Sequence, residues 1–232
     1  MKIALLGYGK MGKTIEKIAI ERGHTIVLKV DKDDTTYDLS DADVAIDFSI
    51  PSAAVNNITN CFNTNTPVIS GTTGWLDHYD DMITLCKEKK GGFIYASNYS
   101  LGVNLFFELN KKLAKMMKPL EGYEIAMEEI HHTEKLDAPS GTAITLAEGI
   151  IENSNKEAWQ LDSNDKNTIP ITAKRIDKTP GTHTVTYSSA VDDIEIKHTA
   201  HNRNGFALGA VVAAEWLKDK TGVYNMKDVL GL

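Results

Sequence analysis

Cysteine is nearly absent: the chain has 2, Cys61 and Cys86. They form no C-x-x-C and no Cys/His metal spacing, so neither a disulfide framework nor a zinc module is expected, and the pair reads as idle thiols of a reducing cytosol. No run approaches the ~20 apolar residues of a membrane span. After Lys2 the apolar stretch Ile3-Ala4-Leu5-Leu6 stops at Gly7, too short for the core of a signal peptide. Repeats and low-complexity tracts are missing as well. Basic residues do not exceed acids: 25 Lys and Arg stand against 32 Asp and Glu, a formal net charge of −7. Non-specific nucleic-acid binding needs a basic face, so that class is set aside, although a local basic site for a small anion is compatible with an acidic protein. The expectation is a cytoplasmic protein with neither membrane nor nucleic-acid partners.

What remains is an ordinary globular balance, 42 % apolar and 25 % charged over 232 residues, enough for one large domain or two small ones sharing an interface. The first hundred residues alternate short apolar runs with helical periodicity. Strands are expected at 2–6, 25–31, 43–48, 67–70 and 92–97, and helices at 11–22, from Pro51 to about 60, and at 77–90. This rhythm predicts a Rossmann-type α/β unit, a parallel sheet covered by helices on both faces. From residue 101 the pattern changes. A helix at 102–117, a strand at 123–131, a helix at 142–152 and β-rich segments at 168–177, 181–190 and 194–200 predict an α+β unit with a mixed, mostly antiparallel sheet. Pro180-Gly181 and Asp192-Asp193 suit antiparallel turns, and the polar stretch 153–167 reads as a loop. Residues 206–218 form a strongly apolar helix.

Gly7-Tyr8-Gly9-Lys10-Met11-Gly12 fits G-x-G-x-x-G between a strand and a helix, and the second strand ends in Asp31, 22 residues beyond Gly9. Gly7 permits the tight turn, Gly9 lets backbone approach a pyrophosphate, and Gly12 lets helix and strand pack closely. The helix N-terminus offers free N–H groups to the phosphates, and Asp31 can accept hydrogen bonds from a ribose. A carboxylate there favours NAD, while Lys32 beside it could offset the charge and admit NADP, so tolerance of both NADH and NADPH is expected. Gly71-Thr72-Thr73-Gly74 and Ala96-Ser97-Asn98-Tyr99 end two further strands, where open parallel sheets bind ligands. Each is either a tight turn or a contact to the nicotinamide and its ribose.

The densest chemistry lies in EEIHHTEKLDAPSGTA, residues 128–143. On a strand, His131 and His132 point to opposite sides. They do not make a metal pair, and no third ligand follows at a suitable spacing, so no metal is expected. One histidine can face a reacting centre while the other holds a substrate group. A loop can fold Lys135 back toward the imidazole, which joins proton delivery to stabilisation of negative charge. Asp137 or Ser140 can cap the next helix, leaving the N–H groups of Gly141 and Thr142 as an anion cradle. A proton donor, a cation and a carboxylate cradle on a dinucleotide fold describe hydride transfer to a small carboxylated, unsaturated substrate, followed by protonation.

Glu129-x-His131-His132-x-x-Lys135-x-Asp137-Ala138-Pro139-Ser140-Gly141-Thr142-Ala143 resembles the signature of the dihydrodipicolinate reductase family. The resemblance extends along the chain through the glycine loop, Asp47-Phe48-Ser49, Gly71 to Gly74, Asn98-Tyr99-Ser100-x-Gly102-Val103-Asn104 and Asp228-Val229-Leu230. It implies NADH- or NADPH-dependent reduction of a cyclic imine dicarboxylate in the diaminopimelate route to lysine. It also implies His131 as proton donor or acceptor, Lys135 as proton donor, and His132, Gly141 and Thr142 as substrate ligands. The cofactor would be held by Gly7, Tyr8, Gly9, Lys10, Met11, Gly12, Asp31, Lys32, Gly71, Thr72, Thr73, Ala96, Ser97, Asn98 and Tyr99. Residues 1–101 and 206–232 would form the dinucleotide domain, and 102–205 a substrate and oligomerisation domain of a homotetramer. Longer members often carry basic residues where this chain has Ile50 and Val212, for which Arg203 is a candidate substitute. Two other readings stand beside this one. Another two-domain amino- or imino-acid dehydrogenase would not require the adjacent histidines or the Pro-Ser-Gly-Thr segment, and a non-catalytic dinucleotide sensor gives no reason for His131 and Lys135 to be near each other.

Overall fold

A computed structural model describes residues 1–31, 34, 36–163, 165–202 and 204–232. Lys32 and Arg203, both singled out from sequence, lie outside the described residues. The chain divides into two units, Met1–Leu101 with Asn204–Leu232, and Gly102–Arg203.

The first unit holds strands β1 (Lys2–Leu6), β2 (Thr25–Val30), β3 (Val44–Asp47), β4 (Val68–Ser70) and β5 (Gly92–Tyr95). A further short strand, Gly222–Tyr224, extends the sheet beyond β5; it is β11 in chain order. All pairings are parallel, in the order β11-β5-β4-β3-β1-β2. Helices α1 (Lys10–Glu21), α2 (Pro51–Asn63) and α3 (Tyr79–Glu88) join these strands, and α6 (Asn204–Leu217) returns to the same unit. Alternation along β1 separates two cores. Ile3 and Leu5 pack with Ile15 and Ala19 of α1 and Ala207, Ala210, Val211 and Ala214 of α6. Ala4 and Leu6 pack with Ala54, Ile58 and Phe62 of α2 and Met82 and Cys86 of α3. Burial on both faces explains why β3 and β4 read as apolar runs up to their terminal Asp47 and Ser70. Arg22 ion-pairs with Glu215 at 2.7 Å and His24 Nε2 lies within hydrogen-bond distance of it at 2.7 Å, tying the end of α1 to α6. The chain reverses direction across the sheet between β1 and β3, and ligands of open α/β sheets bind beyond the strand ends at such a point.

The second unit contains α4 (Leu101–Met117), β6 (Glu124–His131), α5 (Gly141–Ile151), β7 (Ala158–Leu161), β8 (Thr168–Arg175), β9 (Gly181–Ser188) and β10 (Asp193–Ala200). Its sheet runs β10-β9-β6-β8-β7. The sheet is mixed: β9 is antiparallel to β6 and β10, whereas β8 is parallel to β6 and β7. Two expectations are corrected. The polar segment 153–167 contains the edge strand β7, whose ends carry too little apolar pattern to announce it. Pro180-Gly181 does not close a hairpin, because β6 lies between β8 and β9. Along β6, Ile125, Met127, Glu129 and His131 are the buried positions. The first two pack with Phe106, Ala114 and Met117 of α4 and Leu146, Ala147 and Ile150 of α5. The same face ends in an acid and a histidine. Among the described residues no helix is long and apolar enough to cross a membrane.

Candidate functional site

The glycine loop between β1 and α1 has the geometry of a phosphate cradle. Gly7 has φ +100°, and a Cβ there would lie 2.1 Å from the Phe48 carbonyl oxygen. A Cβ at Gly12 would lie 2.2 Å from the Gly7 carbonyl oxygen, so helix and loop pack backbone to backbone. Gly9 is different: nothing lies within 4 Å of where its Cβ would be, which leaves open space at the loop tip. Gly9 also caps α1 without any side-chain cap, and no acid stands in the first turn. The leading N–H groups of α1 therefore have no intrahelical partner and are suited to serve as anion donors. These features fit the pyrophosphate of a nicotinamide dinucleotide. Tyr8 is fixed by hydrogen bonds with Glu16 and with Lys29 at 3.3 Å. Asp31 lies exposed just past β2.

The ends of β3, β4 and β5 carry the other predicted cofactor residues. Asp47 is fully buried and accepts hydrogen bonds from Ser49 Oγ (2.7 Å), Asn57 Nδ2 (3.0 Å), Ser70 Oγ (2.8 Å) and Thr72 Oγ1 (2.8 Å). Burial pushes its carboxyl upward in pKa, and these four hydrogen bonds oppose the shift. Thr72 thus spends its hydroxyl on Asp47 and on the Ser49 N–H, and offers a ligand its backbone. Tyr99 likewise turns inward, donating to the Ser70 and Ile94 carbonyls at 3.0 and 3.2 Å. Thr73 and Ser97 are exposed, while Gly71, Ala96 and Asn98 are half-buried.

The second cluster forms at the carboxyl end of β6. His131, the last strand residue, is buried, and its ring meets His183 of β9 at 5.0 Å and 71°. Glu129, two residues earlier on the same face, is fully buried. Arg175, ending β8, donates to Glu129 Oε1 at 3.2 Å, to the Lys135 carbonyl at 3.2 Å and to the Asp137 carbonyl at 2.6 Å. One guanidinium thus pins the loop after β6 in place. Within that loop the Lys135 ammonium is bound by both Asp137 oxygens. His132 lines an open cleft of about 430 Å³ with Thr133, Glu134, Asp177, Lys178 and Pro180.

Ser140, not Asp137, caps α5: its Oγ accepts from the Ala143 N–H at 3.2 Å. Its own N–H donates to Glu129 Oε2 at 3.0 Å, and its Oγ lies 3.1 Å from His183 Nε2. The N–H groups of Gly141 and Thr142 at the first turn remain for an anion, and nothing lies within 4 Å of the Gly141 Cβ position. Burial lowers the pKa of His131, Lys135 and Arg175 lower it further, and Glu129 opposes them. His183 is pushed down to about 4 by burial and then by His131. Lys135 holds the Asp137 carboxyl below its ordinary range.

Glu129, Arg175 and His183 carry no role in the sequence reading. Ligand-capable atoms of Glu129, His131 and His183 all lie within 4.8 Å of one another. Both Glu129 oxygens already serve Arg175 and Ser140, and Ser140 holds His183, so Glu129 and His183 share one hydrogen-bonded network, beside which His131 Nδ1 stands without a hydrogen bond among the described residues.

The family model described as dihydrodipicolinate reductase, N-terminus, matches residues 1–99, and that of the C-terminus matches 102–230. The chain is 63 % identical to 4-hydroxy-tetrahydrodipicolinate reductase of Christiangramia forsetii, over 99 % of this chain and 98 % of that protein. It is 35 % identical to the enzyme of the same name from Neisseria gonorrhoeae, over 94 % and 84 %. Dipicolinate-bound dihydrodipicolinate reductase from Paenisporosarcina sp. TG-14 shares the fold with a TM-score of 0.80 at 23 % identity, each chain covered to 97 %. With a glycine cradle in one unit, a histidine–lysine cluster beside a capped helix in the other, and these matches across its length, the chain belongs to the dihydrodipicolinate reductase family.

Proposed function

We propose that the chain is a nicotinamide-dependent 4-hydroxy-tetrahydrodipicolinate reductase, as its curated relatives are named, and that it acts in the diaminopimelate route to lysine in the cytoplasm. The reaction adds a hydride and a proton to the cyclic dicarboxylate and releases its hydroxyl group as water. When bound, the nicotinamide supplies the hydride. The first unit holds that cofactor through the Gly7–Gly12 loop, Asp31 and the backbone around Gly71–Thr73 and Ala96–Tyr99. The second unit binds the substrate.

There the N–H groups of Gly141 and Thr142, with His132, take the substrate carboxylates, and the α5 N-terminus adds a favourable field. The Lys135 ammonium balances the dianion and donates a proton, while His131, whose pKa burial lowers, accepts and returns one. The observation that carries this reading is the common anchoring of the three parts: Glu129 bonds Ser140, which caps the cradle helix, and Arg175, and Arg175 bonds the Lys135 loop. Purified protein with NADH or NADPH and a fresh condensation mixture of pyruvate and aspartate semialdehyde is expected to consume the reduced nicotinamide. His131→Gln and Lys135→Ala should each lower kcat by ~10²-fold or more, as removal of a positioned acid does. No loss of nicotinamide absorbance would overturn the activity, and near-normal turnover in both variants would overturn the roles.

Both nicotinamides are accepted in this reading, with Asp31 favouring NADH by repelling a 2′-phosphate. Asp31→Ala should raise the ratio of kcat/KM for NADPH over NADH. The second unit also assembles a homotetramer. Its sheet face turned from α5 carries Thr172, Thr184, Thr186 and Lys197, in register with Glu128 and Glu195. Light scattering at micromolar protein should give four times the chain mass, and a monomer would refute the assembly.

A further inference from the structure

We propose that Glu129 is a positioning residue that couples the proton-bearing imidazole of His131 to the anion cradle of α5. This inference rests on the reading of His131 as an acid–base group. A carboxylate without solvent exposure needs charged or N–H partners. Glu129 has Arg175 on Oε1 at 3.2 Å and the Ser140 N–H on Oε2 at 3.0 Å. His131 Nδ1 lies 3.5 Å and His183 Nε2 3.8 Å from the same Oε2. Nδ1 of His131 is buried with no hydrogen-bond partner among the described residues, so this carboxylate is what can receive its proton. That selects the Nδ1–H tautomer of the neutral ring and leaves Nε2 for exchange. Nε2 faces Gly181, where an added Cβ would lie 3.1 Å away, so the backbone leaves that edge of the ring unobstructed by a side chain.

The separation of 3.5 Å is longer than a hydrogen bond and can close when the ring gains a proton. Around His131 stand Glu129 on its own strand, Arg175 on β8, His183 on β9, and Lys135 and Asp137 on the following loop. Removing Glu129 leaves the surroundings predominantly cationic and disfavours the imidazolium. Through Ser140 the same oxygen sets where the α5 N-terminus begins, so substrate anion and imidazole proton act on one group.

Glu129→Gln preserves shape and the acceptor for Ser140 but removes the charge. The limb of the kcat/KM–pH profile that reports His131 should move to lower pH by about one unit, and kcat should fall ~10-fold with a smaller change in KM. Glu129→Asp should recover most of the pH shift. His131→Gln is the control: loss of turnover and of the limb upholds the role of His131. If His131→Gln removes the limb while Glu129→Gln leaves it in place, Glu129 is only structural and the proposal fails. If His131→Gln retains both turnover and limb, the reading beneath it fails instead. Nitrogen-15 spectra of histidine-labelled wild-type protein give a test that needs no variant. The neutral His131 ring should carry its proton on Nδ1, and an Nε2–H tautomer would overturn the proposal.

Discussion

Lys135 binds Asp137, two residues ahead in the same loop, through both carboxylate oxygens at 2.7 and 2.8 Å. A substrate dianion must compete with this internal carboxylate for the ammonium. Asp137→Asn removes the competitor while Arg175 keeps its bond to the residue 137 carbonyl. KM for the dicarboxylate should fall about 3-fold, the range of a partly exposed ion pair, with kcat within about 2-fold. A rise in KM would show that Asp137 orients Lys135 for the substrate and does not restrain it.

Gly141 supplies the first N–H of the cradle without steric demand on its neighbours. Ser140 before it is extended, with φ −68° and ψ 157°, a conformation compatible with a following proline. Proline is also well tolerated at the first helical position. Gly141→Pro should therefore keep the fold and delete one donor. KM should rise ~10-fold, as loss of a hydrogen bond to a charged group implies, while Tm stays within a few degrees. An unchanged KM would move the carboxylate elsewhere.

His183 makes stability depend on pH. Its folded pKa is pushed down to about 4, chiefly by burial, against an ordinary value of 6.5. Between those values the unfolded chain binds a proton that the folded chain does not, so stability from this group is complete above pH 6.5 and declines as pH falls toward 4. The loss by pH 4 should be on the order of 2–3 kcal/mol. In urea titrations the His183→Gln variant should show a shallower decline over this interval than wild type. Parallel declines would mean that His183 protonates in the folded state without penalty.

The fold of the first unit was legible because its inner strands β1, β3, β4 and β5 are buried on both faces and stop at glycine, acidic or small residues. The one pattern therefore marked both the strand and its functional end. The His131–Lys135–Gly141 set was legible for a local reason, since all three lie on one strand, loop and helix start. Glu129 was partly legible: an acid two residues before His131 shares its face, but the apolar Ile125 and Met127 of that face pointed to a core. Arg175 and His183 were not, because they reach the site from β8 and β9, whose order around β6 depends on long-range pairing. The edge strand β7 escaped for a similar reason: an outer strand in a polar segment draws its hydrogen bonds from β8 and has little periodicity of its own. At Tyr99 and Thr72 the motif does not show where the side chain goes: both turn their hydroxyls to the protein and leave the backbone for a ligand.

Asp47 is the point at which packing in the first unit touches cofactor binding. Its carboxylate gathers three hydroxyls and one amide from the ends of β3 and β4 and from α2. The next residue, Phe48, sets its carbonyl against Gly7 and its ring against Gly71, so close that a Cβ at either glycine would clash at 2.1 and 2.3 Å. The anchor therefore shapes two of the loops assigned to the cofactor, at Gly7 and at Gly71. Asp47→Ala removes the shared acceptor of four donors, three of them on buried residues, and should lower stability by about 3 kcal/mol or more. Asp47→Asn keeps the shape, and three of its partners are hydroxyls that can rotate to accept, so its loss should be smaller, about 1–2 kcal/mol. The Kd for NADH or NADPH, followed by nicotinamide fluorescence under conditions where each variant is folded, should rise in the same order. Wild-type stability in Asp47→Ala would dismiss the anchor, and reduced stability with unchanged Kd would confine Asp47 to holding the strand ends without shaping the loops.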